Sequence, residues 1–137
     1  MDEVGDRLRY CMQTENALTF VLSAPGSIGM ETSFVNLVEP DDKVVICING
    51  VFGGRMQDIC RRIGAEVITL ENEWGTPVDP DELSRTLEAH DDAILIAFVH
   101  AETSTGVRSD AESIAAIARK HGCLVVADCV TSLSGVE

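Results

Sequence analysis

At 137 residues, with 45% hydrophobic and 24% charged side chains, the chain has the composition of one globular domain with a real core. Its formal net charge of −13 repels phosphate backbones and anionic membrane surfaces, which argues against nucleic-acid and membrane partners. No apolar run reaches transmembrane length, no signal peptide opens the chain, and the five cysteines contain no C-x-x-C pair; this usage suits a reducing, intracellular compartment rather than a disulfide framework or a zinc site.

Helix and strand signals alternate along the chain. Residues 2 to 14 read as an amphipathic helix and residues 18 to 22, LTFVL, as a strand. The turn SAPGS leads into a helix from Ile28 to about Leu37, which stops before Pro40. KVVICIN (43 to 49) is a strand, and glycines at 50, 53 and 54 interrupt the chain before a helix that ends near Gly64. EVITL (66 to 70) is the next strand. DPDELSRTLEAH then opens a helix, with Asp79 as N-cap, Pro80 at the first helical position and Glu82 as the reciprocal cap. AILIAFV (93 to 99) is a strand, and SDAESIAAIARKHG repeats the capping logic, with Ser109 as N-cap, Glu112 answering it and Gly122 ending the helix. The last strand runs from Cys123 to Asp128, and its unbroken apolar run predicts burial on both faces. Strands separated by helices predict an α/β fold with a mostly parallel sheet and right-handed crossovers. No linker composition divides residues 1–137.

Four segments after strands carry polar or aromatic groups suited to chemistry. In FVLSAPGSIGME the chain passes through a Gly/Ser turn into a helix, so the N–H groups near Ser27, Ile28 and Gly29 have no intrahelical acceptor and form an anion site. An ordinary capped turn explains the same residues. The pattern matches neither G-x-G-x-x-G nor the G-K-[ST] of a P-loop. Phe52, among glycines in a chain that is only 4% aromatic, is either a platform for a planar ligand or a core plug. HAETSTGVR offers the hydroxyls of Thr103, Ser104 and Thr105, and it sets His100 near Glu102, an acid–base pair or simply a polar loop. Asp128 ends its strand at the rim where α/β proteins bind ligands; it can hold a cationic ring nitrogen, coordinate a metal, accept a phosphoryl group or cap the next turn. An anion cradle, an aromatic ring, a hydroxyl cluster and a carboxylate all fall at C-terminal strand ends. A ligand with a phosphate, a flat ring, a ring hydroxyl and a basic ring nitrogen uses all four, and pyridoxal 5′-phosphate is such a ligand.

The segments GSIGMETSFVNLVEPDDKV, NGVFGGRMQDICRRIGAEV, HAETSTGVRSD and VVADCVTSLSG together identify a family. The chain resembles the class V, fold-type I pyridoxal-phosphate aminotransferases of the alanine–glyoxylate and serine–pyruvate branch over nearly its whole length. The resemblance implies that Gly26, Ser27 and Ile28 form the phosphate-binding turn and that Phe52 stacks on the pyridine ring. It further implies that Thr103 lies beside the ring, that Asp128 partners the pyridinium nitrogen and that Val130 packs against the ring. No metal is implied. Pro25 departs from the Ser, Thr or Ala usual in relatives and removes one N–H from the cradle; Ala101 stands where Gly is common.

The resemblance also implies transamination between a small amino acid, alanine or serine, and glyoxylate or pyruvate as 2-oxo acid, in a homodimer that is cytoplasmic or peroxisomal. The family's Schiff-base lysine lies beyond the Asp128 strand, and its small C-terminal domain carries a carboxylate-binding arginine. Residues 1–137 are therefore expected to be part of the large domain and inactive alone. Lys43 and Lys120, the only lysines, are expected toward the opposite sheet edge. Two other readings stay open at the level of sequence: a degenerate association module of the same fold, and a phosphotransfer domain with Asp128 as acceptor. The second lacks the D-x-D motif and paired acidic residues for Mg²⁺.

Overall fold

The computed structural model describes residues 2–136, in which helices and strands alternate. In chain order they are α1 (Asp2–Cys11), α2 (Gly26–Leu37), β1 (Lys43–Ile48), α3 (Val51–Ile63), β2 (Glu66–Glu71), α4 (Pro80–Ala89), β3 (Leu95–Val99), β4 (Ala101–Glu102), β5 (Val107–Arg108), α5 (Ala111–Lys120) and β6 (Leu124–Asp128). The four long strands make one parallel sheet in the order β2-β1-β3-β6, while β4 and β5 form a small antiparallel hairpin beside it. The fold is thus α/β, with a parallel sheet flanked by helices.

The period-2 pattern of β1 and β3 divides the core into two layers. Val44, Ile46, Ile48, Leu95, Ala97 and Val99 face one side, where they pack with Met30 and Phe34 of α2 and Met56, Ile59 and Cys60 of α3. Val45, Cys47, Ile96 and Phe98 face the other, against Leu83 and Leu87 of α4 and Ile114 and Ala118 of α5. After Lys43, which opens β1, both strands are apolar because neither face meets water. Sequence order reverses between β1 and β3: β2 lies on one side of β1, and the chain then crosses to the other side to form β3 and β6. A crevice at the C-terminal strand ends is expected at such a reversal.

Several local expectations are corrected. LTFVL (18 to 22) is not a strand; it runs as irregular chain with Leu18 84% and Phe20 56% exposed, because no neighbouring strand supplies its backbone partners. The first helix stops at Cys11, and α2 begins at Gly26 rather than Ile28, with Pro25 as N-cap (φ −64°, ψ 157°). β6 is not buried on both faces: it is an edge strand, and Leu124 is 52% exposed. Asp79 caps α4 as expected, accepting from the Asp81 and Glu82 N–H groups, but the Glu82 carboxylate accepts from Asn72 Nδ2 instead of closing the box. The cap of α5 is Asp110, which accepts from Ser113 N–H. Ser109 is buried one residue earlier, where its Oγ accepts from Val78 N–H at 3.2 Å and lies 3.5 Å from Asn49 Nδ2. The helix therefore starts one residue late because Ser109 is committed to the core.

Helix α3 presses on the end of β1. A Cβ on Gly53 would lie 2.8 Å from the Cys47 carbonyl oxygen and 2.9 Å from the Ile48 Cα, both backbone atoms that cannot give way. A Cβ on the neighbouring Gly54 would meet nothing within 4 Å. Gly54→Ala is therefore expected to raise stability by up to about 1 kcal/mol through helix propensity. Gly53→Ala is expected to lower it, because an overpacking cost of about 1–3 kcal/mol exceeds the same propensity gain. Urea denaturation of the two variants checks the opposite signs.

Lys43, the first residue of β1, donates to both oxygens of Asp92 at 2.7 and 2.8 Å, so the sheet's N-terminal edge is tied to the turn before β3. The Lys43 hydrogen bond holds the Asp92 carboxyl below its ordinary value, and Asp92 in turn raises the Lys43 ammonium. The depressed Asp92 contributes stability above its unfolded value and loses it as pH falls through the folded one. The raised Lys43 contributes below its unfolded value and loses it as pH climbs through the folded one. The wild-type chain is expected to lead Asp92→Asn in urea midpoint at neutral pH and to lose that lead on acidification below the carboxylate range. A lead that persists there overturns the assignment.

Candidate functional site

The C-terminal ends of β1, β3 and β6 lie side by side, with Val99 of β3 in register with Asp128 of β6. The segments that succeed these strands are therefore gathered at one sheet edge. A crevice of about 150 Å³ at this edge is lined by Gly26, Ser27, Met30, Phe52, Val99, Thr103, Asp128 and Val130. A shallower depression continues from it, sharing Gly26, Met30, Asp128 and Val130. The crevice is smaller than the roughly 300–1,000 Å³ of drug-sized pockets, and it suits a compact single-ring ligand rather than a dinucleotide. A wider hollow between α1 and Ser134 takes nothing from the ends of β1 or β3.

Ser27 is the second residue of α2, so its backbone lies among the unpaired donors of that helix. The Gly26 and Ser27 N–H groups have no acceptor among the described residues, whereas Ile28 N–H donates to the Pro25 carbonyl at 2.9 Å. Ile28 does not line the crevice, and its side chain is exposed. The structure thus brings together Gly26, Ser27, Phe52, Thr103, Asp128 and Val130 of the sequence-derived set and leaves the Ile28 side chain outside. Phe52 is the second residue of α3; it packs partly against the α2–α3 side of the core and also lines the crevice.

Of the roles expected for Asp128, the structure shows the capping of the next turn. Its Oδ1 accepts from Val130 N–H at 3.0 Å and shapes the turn after β6, and its second oxygen has no partner among the described residues. That turn carries Val130, 74% exposed, to a point where its Cγ2 would be 3.3 Å from a Cβ on Gly26. Glycine at 26 keeps the turn and the α2 N-terminus this close. The Thr103 hydroxyl shares a short hydrogen bond with the Thr131 hydroxyl, which joins the loops after β3 and β6.

Three residues at the site were not anticipated from sequence. Met30 and Val99 are core residues with one edge exposed to the crevice. Arg55 is different in kind: its guanidinium donates to the Ser27 hydroxyl and sits 5.1 Å from the Phe52 ring centroid. The signal was present in the sequence, since a residue three positions after Phe52 shares its helix face.

His100 and Glu102 do not form an acid–base pair. His100 Nδ1 is hydrogen-bonded to the buried Ser132 hydroxyl at 2.9 Å, and Glu102 is fully buried and bonded to backbone groups. Lys43 lies at the N-terminal sheet edge, and Lys120 ends α5 just before β6 begins. Neither lies at the crevice. Among the described residues no cluster of three or more His, Cys, Asp or Glu side chains is arranged to hold a metal ion. None of the described helices is long and apolar enough to cross a membrane.

The geometry defines an α/β protein with a crevice at the switch point of a parallel sheet, beside the N-terminus of α2. The chain belongs to the class V aminotransferase family, whose model matches residues 1–137. It is 36% identical over 136 residues to the alanine–glyoxylate aminotransferase of Rattus norvegicus, covering 99% of this chain and 33% of that protein. The crystal structure of an alanine–glyoxylate aminotransferase from Nostoc sp. superposes with a TM-score of 0.95 at 46% identity, over 100% of this chain and 36% of the other. A ureidoglycine–glyoxylate aminotransferase from Bacillus subtilis superposes with a TM-score of 0.95 at 34% identity, over 99% and 35%. The chain therefore spans about a third of the length of the relatives it matches.

Burial pushes the Cys47 thiol up to about 12 and the Cys60 thiol up to about 11, so both stay protonated near neutral pH. At pH 7.5 an aromatic disulfide reagent is expected to label the exposed Cys11 and to spare Cys47 and Cys60 until urea is added. Peptide mapping of the labelled chain reads the result.

Proposed function

We propose that this chain forms part of the large, cofactor-binding domain of a pyridoxal-phosphate-dependent aminotransferase. The reaction proposed is transfer of the amino group of a small amino acid, alanine or serine, to glyoxylate or pyruvate, in a homodimer. The observation that carries this reading is the convergence of Ser27, Phe52, Thr103 and Asp128 on one crevice. The names of the relatives support transamination with glyoxylate as the coarse reaction.

The residues fit the cofactor by their chemistry. Two free N–H groups at a helix N-terminus, a serine hydroxyl and the Arg55 guanidinium suit a phosphate. The Phe52 ring suits a flat heterocycle, and the uncommitted oxygen of Asp128 suits a protonated ring nitrogen. Bound there, pyridoxal phosphate supplies an electron sink for carbanion chemistry on the amino acid. The chain's own groups bind and orient it. Ser27 and Arg55 would hold the phosphate. Phe52 and Val130 would pack against the ring and help to keep water from it. Thr103 offers a hydroxyl beside the ring. Asp128 keeps a proton on the pyridine nitrogen by stabilising the positive charge. The amine needed for covalent attachment and proton transfer is neither Lys43 nor Lys120, because both lie away from the crevice. We assign it, and the arginine that grips the substrate carboxylate, to segments outside residues 1–137.

The chain incubated with pyridoxal phosphate is expected to bind it saturably and without a covalent bond, and Asp128→Ala is expected to weaken binding by about tenfold or more, the cost of losing a charge-assisted hydrogen bond. With alanine and glyoxylate, the 137-residue chain is expected to form no pyruvate. Equilibrium dialysis, borohydride reduction with peptide mapping, and a coupled pyruvate assay read these outcomes. Affinity indifferent to Asp128, or a borohydride-fixed adduct at Lys43 or Lys120, sinks the reading.

A further inference from the structure

Helix α3 begins without a cap of its own. Gly50 stands at its N-cap and has no side chain to offer, although α3 is the helix that carries Phe52. Its first two N–H groups are satisfied from a distant part of the chain. Val51 N–H donates to Ser104 Oγ at 3.0 Å, and Phe52 N–H donates to Glu102 Oε2 at 3.1 Å. The other Glu102 oxygen, Oε1, accepts from Ser104 N–H at 3.0 Å and from the Ser104 hydroxyl at 2.7 Å. The donors and acceptors balance: the Ser104 hydroxyl gives its one proton to Glu102 and receives Val51 N–H on a lone pair.

The Glu102 side chain is 0% exposed, and no cation pairs with it among the described residues. A buried carboxylate without a counter-ion is costly unless hydrogen bonds and a dipole offset the lost hydration. Here three N–H or O–H donors and the positive end of α3 do so. Gly50 makes the approach possible, since a Cβ there would fall 2.3 Å from Glu102 Cγ and 2.6 Å from Glu102 Cδ. Glu102 also immediately precedes Thr103, a crevice residue, so a single carboxylate joins the β1–α3 turn to the loop after β3.

We propose that Glu102, acting with Ser104, is a positioning residue of the site: it caps α3 from outside the helix and thereby fixes Phe52 relative to Thr103 in the lining of the crevice. The inference rests on the assignment of Phe52 as the platform for the cofactor ring. Glu102 does not reach the ring itself. It acts through the backbone N–H of Phe52, and its carbonyl holds the same loop by accepting from Thr105 N–H at 3.2 Å and Gly106 N–H at 2.8 Å.

The test compares Glu102→Gln and the milder Ser104→Ala with the unaltered chain in two measurements. The first is hydrogen exchange, resolved by residue. Loss of the cap is expected to speed exchange at Val51 and Phe52 by about tenfold relative to amides in the middle of α5, as befits one lost charge-assisted hydrogen bond. General destabilisation would speed both regions alike. The second is equilibrium dialysis of pyridoxal 5′-phosphate in a double-mutant cycle with Phe52→Ala. Glu102→Gln is expected to weaken binding about tenfold when Phe52 is present and to add nothing when it is absent. Uniform exchange across Phe52 and α5 overturns the proposal, as does a Glu102 effect that persists fully without Phe52. Absence of any pyridoxal phosphate binding by the unaltered chain defeats the cofactor reading instead, and the exchange measurement then decides the capping role by itself. Should Glu102→Gln fail to fold, Ser104→Ala supplies the same comparison at Val51.

Discussion

The site depends first on the parallel pairing of β1 with β3. Both strands are buried on both faces, and their register, Val44 with Leu95 through Ile46 with Ala97, sets where each strand stops. Because side chains alternate, a slip of one residue would turn Val44, Ile46, Leu95 and Ala97 away from α2 and α3 and dismantle both core layers. The register is therefore strongly held, and so are the positions of the loops at the strand ends. The reversal of strand order between β1 and β3 then places the crevice that Phe52 and Thr103 both line.

Electrostatics at the site run against the charge of the whole chain. A formal charge of −13 opposes an anionic ligand, yet the Gly26–Ser27 N–H groups and Arg55 gather local positive potential at one helix end. Screening over about 8 Å in physiological salt weakens the distant carboxylates more than these adjacent donors. The N-terminus of α3 was a second potential anion site next to the first. The internal carboxylate of Glu102 occupies it, which leaves α2 as the helix end free to meet a phosphate.

How much was legible differs from one residue to the next. The order of helices and strands was, because period-2 and period-3.6 hydrophobic patterns and caps such as Asp79–Pro80 act over a few residues. Phe52, Thr103 and Asp128 were also legible, since a parallel sheet sends every strand's C-terminus to one edge; Gly26 and Ser27 follow no strand and reach the crevice at the start of α2. The failures share a cause. LTFVL has a strand's composition but no partner, β6 has a core strand's composition at an edge, and Ser109 has a cap's chemistry but is taken by Val78 and Asn49. In each case tertiary context, a missing neighbour for LTFVL and β6 and a distant contact for Ser109, outweighed a sound local preference. Glu102 shows the same limit in the site itself: its partner at Phe52 lies 50 residues away.

The sequence by itself determined the alternation of elements, the residues available at the strand ends and, through its motifs, the family. Local propensity and backbone sterics suffice for those, because each involves a handful of neighbouring residues. Only the tertiary structure decided which residues share the crevice, that Arg55 bonds Ser27 at its rim while the Ile28 side chain lies outside it, and that a buried glutamate rather than a local cap begins α3. Those outcomes depend on the sheet order β2-β1-β3-β6 and on close backbone approaches at Gly50 and Gly53. The strand pairings and the Gly50–Glu102 approach join residues far apart in sequence, and they exist only once the sheet has formed.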